Sequence, residues 1–236
     1  MNKALTTGKY TIMKRALQSN YLEKLECAAN KLNRVDKRPI YIANEEMLGS
    51  DIVERYKTAG IDKLIKKAEP IIKEQLGKEW LVLTNKALIR RTWPISENES
   101  RKLGHNASNL TWHQDSNFKH QDKPMVVLMT PLQSKAGLVR PGLSIMDLPT
   151  DKFLGVFGYE GNRVEEFEEC MIKRYGELKV KTPVLDAGDL LIFNGLTFHR
   201  TFSVQSMKKH RDALLVRLIR PEDGKNFPDA KHYVVK

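Results

Sequence analysis

The chain has 236 residues, of which 41% are hydrophobic and 29% charged, with 14 Gly and 10 Pro. These proportions exclude a disordered, collagenous or disulfide-built chain and suit one globule, since a single core grows to roughly 250 residues before it divides. The formal net charge is +11, yet residues 1–91 hold 19 Lys+Arg against 11 Asp+Glu, and residues 92–236 hold 21 against 18. Most of the excess lies in the N-terminal third, where a solvated Lys-rich helical surface accounts for it without a nucleic-acid partner. Cys27 and Cys170 stand in no ligand or redox spacing and read as reduced thiols. Apolar runs such as Met125 to Met129 fall far short of the ~20 residues of a membrane span. The stretch from Met1 to Tyr10 has no apolar core of a secretory signal. A cytoplasmic protein with no membrane association is expected.

From Ile12 to Val35, apolar residues recur at helical spacing (Leu17, Tyr21, Leu25, Ala28, Leu32), which predicts one helix with a buried stripe. Asn44-Glu-Glu-Met carries an N-cap signal for a second helix, and Ile61 to Leu76 predicts a third, stopped by Gly77. Pro70 is expected to kink or divide it. From Trp80 the period shortens. Strands are predicted at Trp80–Leu83, Ala87–Arg91, within Lys123–Leu132, and at Gly142–Met146, Leu178–Thr182, Asp189–Phe193, Phe198–Val204 and Ala213–Ile219, with one acidic helix at Arg163–Tyr175. Helices first and short strands afterward imply an α+β chain whose β part is a sandwich or barrel of the jelly-roll type. A single domain over 1–236 is expected, with a helical part over 1–79, a β core over 80–220 and a tail over 221–236.

The segment Thr111-Trp-His-Gln-Asp-Ser116 carries the chemistry. In an extended chain His113 and Asp115, at i and i+2, point to one side and can converge on one ion. His199, just after the strand that begins at Gly188, is the third candidate ligand. Two His and one carboxylate on one face of an ion leave three coordination positions open, the arrangement of nonheme Fe(II) oxygenases. The bare triplet equally describes a surface His beside a turn Asp. Arg211 shifts the balance: it opens an apolar strand 12 residues after His199, where an inward guanidinium can grip a carboxylate by two parallel hydrogen bonds.

Trp112-His-Gln-Asp115, Gly188-Asp-Leu-Leu-Ile-Phe-Asn-Gly-Leu-Thr-Phe-His199 and Arg211-Asp-Ala-Leu-Leu-Val-Arg217 together resemble the phytanoyl-CoA dioxygenase family of Fe(II)/2-oxoglutarate oxygenases over residues 80–220. The resemblance implies a double-stranded β-helix (a cupin-like jelly roll) with the N-terminal helices packed on it. It implies Fe(II) on His113, Asp115 and His199, the distal carboxylate of 2-oxoglutarate on Arg211, and O2 as second cosubstrate. The implied activity hydroxylates an unactivated C–H bond and releases succinate and CO2. A carboxylate at Asp115, where related halogenases have Gly or Ala, favours such oxidation over halogenation. Two segments depart from the family pattern, Gly142-Leu-Ser-Ile-Met-Asp-Leu-Pro149 and Arg200-Thr-Phe-Ser203, so a CoA thioester substrate is not carried over.

Further candidates for contact with cosubstrate or substrate are Arg217, Arg90, Arg91, Trp112, Ser116, Arg140 and Arg200. Arg217 faces the same side as Arg211 in a regular strand and either assists the cosubstrate or forms a salt bridge in the barrel wall. Arg90 and Arg91 face opposite ways, so at least one is expected in solvent. Arg140 and Arg200 suggest an anionic or carboxylate-bearing small molecule, such as an amino acid or biosynthetic intermediate, in a pocket lined by 116–120, 138–147 and 200–203. Trp93, Trp112 and Phe118 either wall that pocket or belong to the core. His105, His120, His210 and His232 are expected at the surface. Alternative readings are an alkylated-base demethylase, suggested by the Arg-x5-Arg run at Arg211 and Arg217, and a noncatalytic jelly-roll metal-binding module.

Overall fold

The computed structural model describes residues 8–32, 40–42, 59–83, 88–94, 112–115, 123–148, 154, 164–226 and 232–234. The expected helix at Asn44, the candidates Ser116 and Phe118, and His105 and His120 lie outside the described residues. In chain order the elements are β1 (Tyr10–Met13), α1 (Ser19–Leu32), β2 (Ile40–Ile42), α2 (Ile61–Leu76), β3 (Leu81–Leu83), β4 (Leu88–Thr92), β5 (Met125–Pro131), β6 (Gly142–Asp147), α3 (Val164–Tyr175), β7 (Lys179–Lys181), β8 (Leu190–Asn194), β9 (His199–Phe202), β10 (Arg211–Ile219) and β11 (His232–Val234).

Two antiparallel sheets face each other. The larger has eight strands in the order β1-β8-β5-β10-β3-β11, with β4 also pairing β10 and β2 pairing β4; the smaller is β7-β6-β9. This is the jelly-roll core expected from the strand pattern. The alternation of β5, β8 and β10 divides their side chains between two cores. Val126, Leu128, Leu190, Ile192, Leu214, Val216 and Leu218 pack outward against Leu25 and Ala29 of α1 and Leu64, Ile65, Ala68 and Ile72 of α2. Val127, Met129, Leu191, Phe193, Ala213 and Leu215 point inward, toward Leu143 and Ile145 of the small sheet. Covering both faces explains why every residue of β5 is buried and why these strands read as continuous apolar runs.

The N-terminal third departs from an all-helical reading. Tyr10–Met13 is a strand laid antiparallel on β8, with Tyr10 opposite Phe193 and Met13 opposite Leu190. The first helix therefore starts at Ser19, and Ile12 is a strand residue whose spacing happens to extend the helical stripe. The turn between them presses on Gly188, whose carbonyl accepts from the Leu17 N–H at 2.9 Å. Gly188 has φ +80°, and a Cβ there would stand 2.5 Å from the Leu17 carbonyl oxygen, so no side chain fits. Helix α2 ends at Leu76 before Gly77 as expected, and it runs through Pro70 undivided. In the C-terminal tail, Pro221–Asn226 forms a 3-10 helix, and His232–Val234 pairs with β3. Among the described residues no helix is long and apolar enough to cross a membrane.

Candidate metal centre

His113 and His199 form a directly opposed backbone pair: each N–H donates to the other's carbonyl at 3.0 Å. In such a pair both side chains emerge on one face, and the imidazole centroids stand 4.2 Å apart. Asp115 returns to that face two residues after His113. Its Oδ1 is 4.0 Å from the Nε2 of His113 and 4.0 Å from the Nε2 of His199. One ligand atom from each residue lies within 4.8 Å of the others. Those separations exceed hydrogen-bond reach and leave space for a small ion between the donors. The three expected ligands are thus brought together.

The side chains are held from behind. Trp112 and Phe198, each one residue before a ligand His, point the opposite way and join Met146, Leu148, Phe167 and Met171 in a separate small core under α3. The Trp112 indole N–H donates to Glu168 Oε1 at 2.8 Å, and Arg200 lies over its ring at 5.2 Å. The ring of Phe193 meets that of His199 edge-on at 4.9 Å. The Nδ1 of His199 stands 2.9 Å from the Thr197 carbonyl; a carbonyl only accepts, so Nδ1 carries the proton and Nε2 presents its lone pair to the centre. Such an outer hydrogen bond is how proteins fix a ligand tautomer.

Charges around the centre favour metal ligation. Burial by itself would raise the Asp115 carboxyl, but Arg217, His199 and His113 more than offset it and hold it well below the usual carboxylate range. Burial lowers the His199 imidazole, with Arg217 and Arg90 adding to the effect against Asp115 and the Thr197 carbonyl. An anionic carboxylate and a neutral imidazole are the forms that bind a cation.

Strand β10 sends two guanidiniums into the interior, six residues apart. Arg217 grips Asp115 with both arms, Nε to Oδ2 and Nη2 to Oδ1, each at 3.1 Å. Arg211 is 2% exposed and donates to the Gly142 carbonyl at 2.8 Å and the Thr92 hydroxyl at 3.3 Å. Its Nε is buried without a hydrogen-bond partner. Burial lowers the Arg211 guanidinium to about 9, Arg90 adds to this, and Asp212 opposes it. A desolvated cation with only neutral hydrogen-bond partners is poised for an anion.

The remaining candidates divide. Thr92 and Arg211 are cross-strand partners, and so are Arg91 and Asp212, so β4 turns Arg90 and Thr92 inward and Arg91 toward the helices. Arg91 is not in solvent: it is 4% exposed and bound to Asp212 at 2.6 and 2.7 Å. Its charge is answered by a carboxylate instead of water, which removes it from the site. Trp112 faces away from the ligands, as described. Arg140 donates to the His210 carbonyl at 2.6 Å, and Arg200 is 3.8 Å from Glu168; both brace backbone or core. His210, expected at the surface, packs on Trp93 with centroids 4.9 Å apart and reaches Asp212 at 3.5 Å. Sequence reasoning missed Thr92 and Gln114. For Gln114 a signal existed, since alternation between two ligands turns a polar side chain into the core, where it must find partners.

Solved structures of similar fold include enzymes that depend on 2-oxoglutarate. The nogalamycin-biosynthesis carbocyclase SnoK, a non-heme alpha ketoglutarate dependent enzyme, superposes with a TM-score of 0.58 at 12% identity, covering 96% of this chain and 92% of its own. HygX from Streptomyces hygroscopicus, solved with nickel and 2-oxoglutarate, has a TM-score of 0.57 at 11% identity over 92% and 84%. The epimerase SnoN, solved with Fe3+, alpha ketoglutarate and nogalamycin RO, has a TM-score of 0.55 at 15% identity over 89% and 78%. The fold is shared with nonheme 2-oxoglutarate-dependent enzymes. No family model and no curated protein sequence matches the chain.

Proposed function

We propose that this chain is a nonheme Fe(II)- and 2-oxoglutarate-dependent dioxygenase of the phytanoyl-CoA dioxygenase type that hydroxylates a C–H bond of a small molecule. The observation that carries the reading is the convergence of His113, Asp115 and His199 within 4.8 Å in a jelly roll whose interior also holds Arg211. The donor set, two imidazole nitrogens and a carboxylate, suits Fe(II) and leaves coordination positions for a cosubstrate. The buried, partnerless Nε of Arg211 suits the far carboxylate of a dicarboxylic keto acid. The residues present therefore fit both groups.

Iron held by His113, Asp115 and His199 would, together with 2-oxoglutarate and O2, supply oxidative decarboxylation of the keto acid to succinate and CO2 and insertion of the second oxygen atom into a substrate C–H bond. The chain's own residues make this selective. His113, Asp115 and His199 would hold the ion, and Arg217 keeps both oxygens of Asp115 in a fixed plane. Arg211 would orient the keto acid by its distal carboxylate. Leu143, Ile145, Phe193 and Leu215, buried between the sheets, exclude water from the interior. Arg140 and Arg200, the residues that suggested an anionic substrate, are engaged elsewhere, so an amino acid or other carboxylate-bearing intermediate now has no specific support over a neutral small molecule.

The test is succinate release with Fe(II), 2-oxoglutarate and a panel of amino acids, acyl thioesters, terpenoid acids and methylated oligonucleotides. Stimulation by a small molecule is expected. Arg211→Lys should raise the apparent KM for 2-oxoglutarate by about tenfold or more with Fe(II) affinity unchanged, because an ammonium cannot reproduce the planar two-point contact. Stimulation by oligonucleotides alone would replace the small-molecule reading with base demethylation. An unchanged KM in Arg211→Ala alongside a raised one in Arg217→Ala would transfer the role to Arg217.

A further inference from the structure

Gln114 sits between the ligands His113 and Asp115, and its side chain points away from them into the protein, where it is 1% exposed. Its Nε2 donates to the Leu196 carbonyl at 2.6 Å, and its Oε1 accepts from the Leu154 N–H at 2.8 Å. The amide cannot be reversed, because a carbonyl offers no proton and a backbone N–H offers no lone pair. Each partner belongs to a different part of the site. Leu196 lies in the turn between β8 and β9, which is closed by Asn194 Oδ1 accepting from the Leu196 N–H at 2.8 Å and by the Thr197 N–H on the Asn194 carbonyl at 2.8 Å. That turn delivers His199 and supplies the Thr197 carbonyl that sets its tautomer. Leu154 lies beyond β6 and packs on the small core of Trp112, Phe167 and Phe198 behind both ligands.

One carboxamide thus joins the first ligand segment, the turn that carries the second, and Leu154. We propose that Gln114 is a positioning residue that couples metal binding at His113, Asp115 and His199 to the backbone N–H of Leu154. Ion binding at His113 and Asp115 would further restrain the backbone that carries the carboxamide, and through it both hydrogen bonds. The coupling is reciprocal: whatever further restrains Leu154 must raise metal affinity by the same factor. Only glutamine fills the role. Glutamate has no donor for Leu196, methionine has neither donor nor acceptor, and asparagine is one methylene too short to span both partners.

The inference rests on the metal reading above, and one anaerobic experiment separates their failures. Fe(II) is titrated by calorimetry into the wild type, Gln114→Met and Gln114→Asn, and amide exchange at Leu154 is followed by NMR with and without Fe(II). Wild type should bind one Fe(II) and show several-fold slower exchange at Leu154 when it does. Both variants should bind Fe(II) about 10- to 100-fold more weakly, the range for loss of an outer partner, and the metal-dependent slowing should vanish in Gln114→Met. If Gln114→Met fails to fold, Gln114→Asn carries the test. A lower melting temperature with wild-type Fe(II) affinity and undiminished metal-dependent slowing would make Gln114 merely structural and overturn the proposal. No Fe(II) binding by the wild type would instead overturn the metal reading, and this inference with it.

Discussion

His199→Ala should abolish tight Fe(II) binding while leaving a folded protein. The variant removes one of three ligands, and the loss should exceed the ~100-fold typical of an outer partner. The backbone pairing of residues 113 and 199, which runs through N–H and carbonyl groups at 3.0 Å, does not depend on the imidazole. A modest loss of packing is expected where the ring met Phe193. His113→Ala should behave alike in metal affinity, with less effect on stability, because the His113 side chain is 24% exposed against 6% for His199. Equilibrium dialysis against Fe(II) under nitrogen, with melting curves of the metal-free proteins, checks both. Fe(II) affinity unchanged in both variants would reject the centre.

The second large effect falls away from the chemistry. Asp212→Asn should destabilise the protein by about 3–5 kcal/mol, the range for breaking a buried ion pair from one side. The Arg91 and Asp212 side chains are 5% and 1% exposed, and an amide would leave the guanidinium buried without its counter-charge. Asp212 also accepts from Gln133 at 3.2 Å, so the loss extends to a small network. Burial would raise the Asp212 carboxyl, but hydrogen bonds from Arg91 and His210 outweigh it and bring the pKa from 3.8 down to about 2. With a folded pKa below the unfolded one, this contribution is complete above about pH 4 and is lost as pH falls toward 2. Urea midpoints between pH 2 and pH 7 should show Asp212→Asn weaker than wild type at neutral pH and the gap closing in acid. A constant gap across that range would remove Asp212 from the acid response.

The β core was legible because its strands are short apolar runs between turn residues, and the ligand pair because i and i+2 on an extended segment share a side whatever the tertiary structure. The elements not foreseen depend on partners distant in sequence. Tyr10–Met13 becomes a strand only because β8 offers an edge, and its Ile12 fits a helical period equally well. Register decided the arginines. Alternation alone separates Arg90 from Arg91, but only the pairing of β4 with β10 sets Arg91 opposite Asp212 and Thr92 opposite Arg211. For the same reason a sequence places Arg217 and Arg211 on one face yet does not show that the former holds Asp115 and the latter a carbonyl and a hydroxyl. Arg140 and Arg200 illustrate the converse: long cationic side chains near a site find backbone carbonyls and aromatic faces as readily as ligands.

The central claim is that one keto acid bridges the metal ligands and Arg211. Anaerobic calorimetry of 2-oxoglutarate into the protein, with and without one equivalent of Fe(II), addresses it directly. The arrangement predicts 1:1 binding that is strong with Fe(II) and weak without it, lost in His199→Ala through the metal and weakened about tenfold or more in Arg211→Lys despite bound metal. Equal binding with and without Fe(II), or full-strength binding by Arg211→Lys, would contradict it.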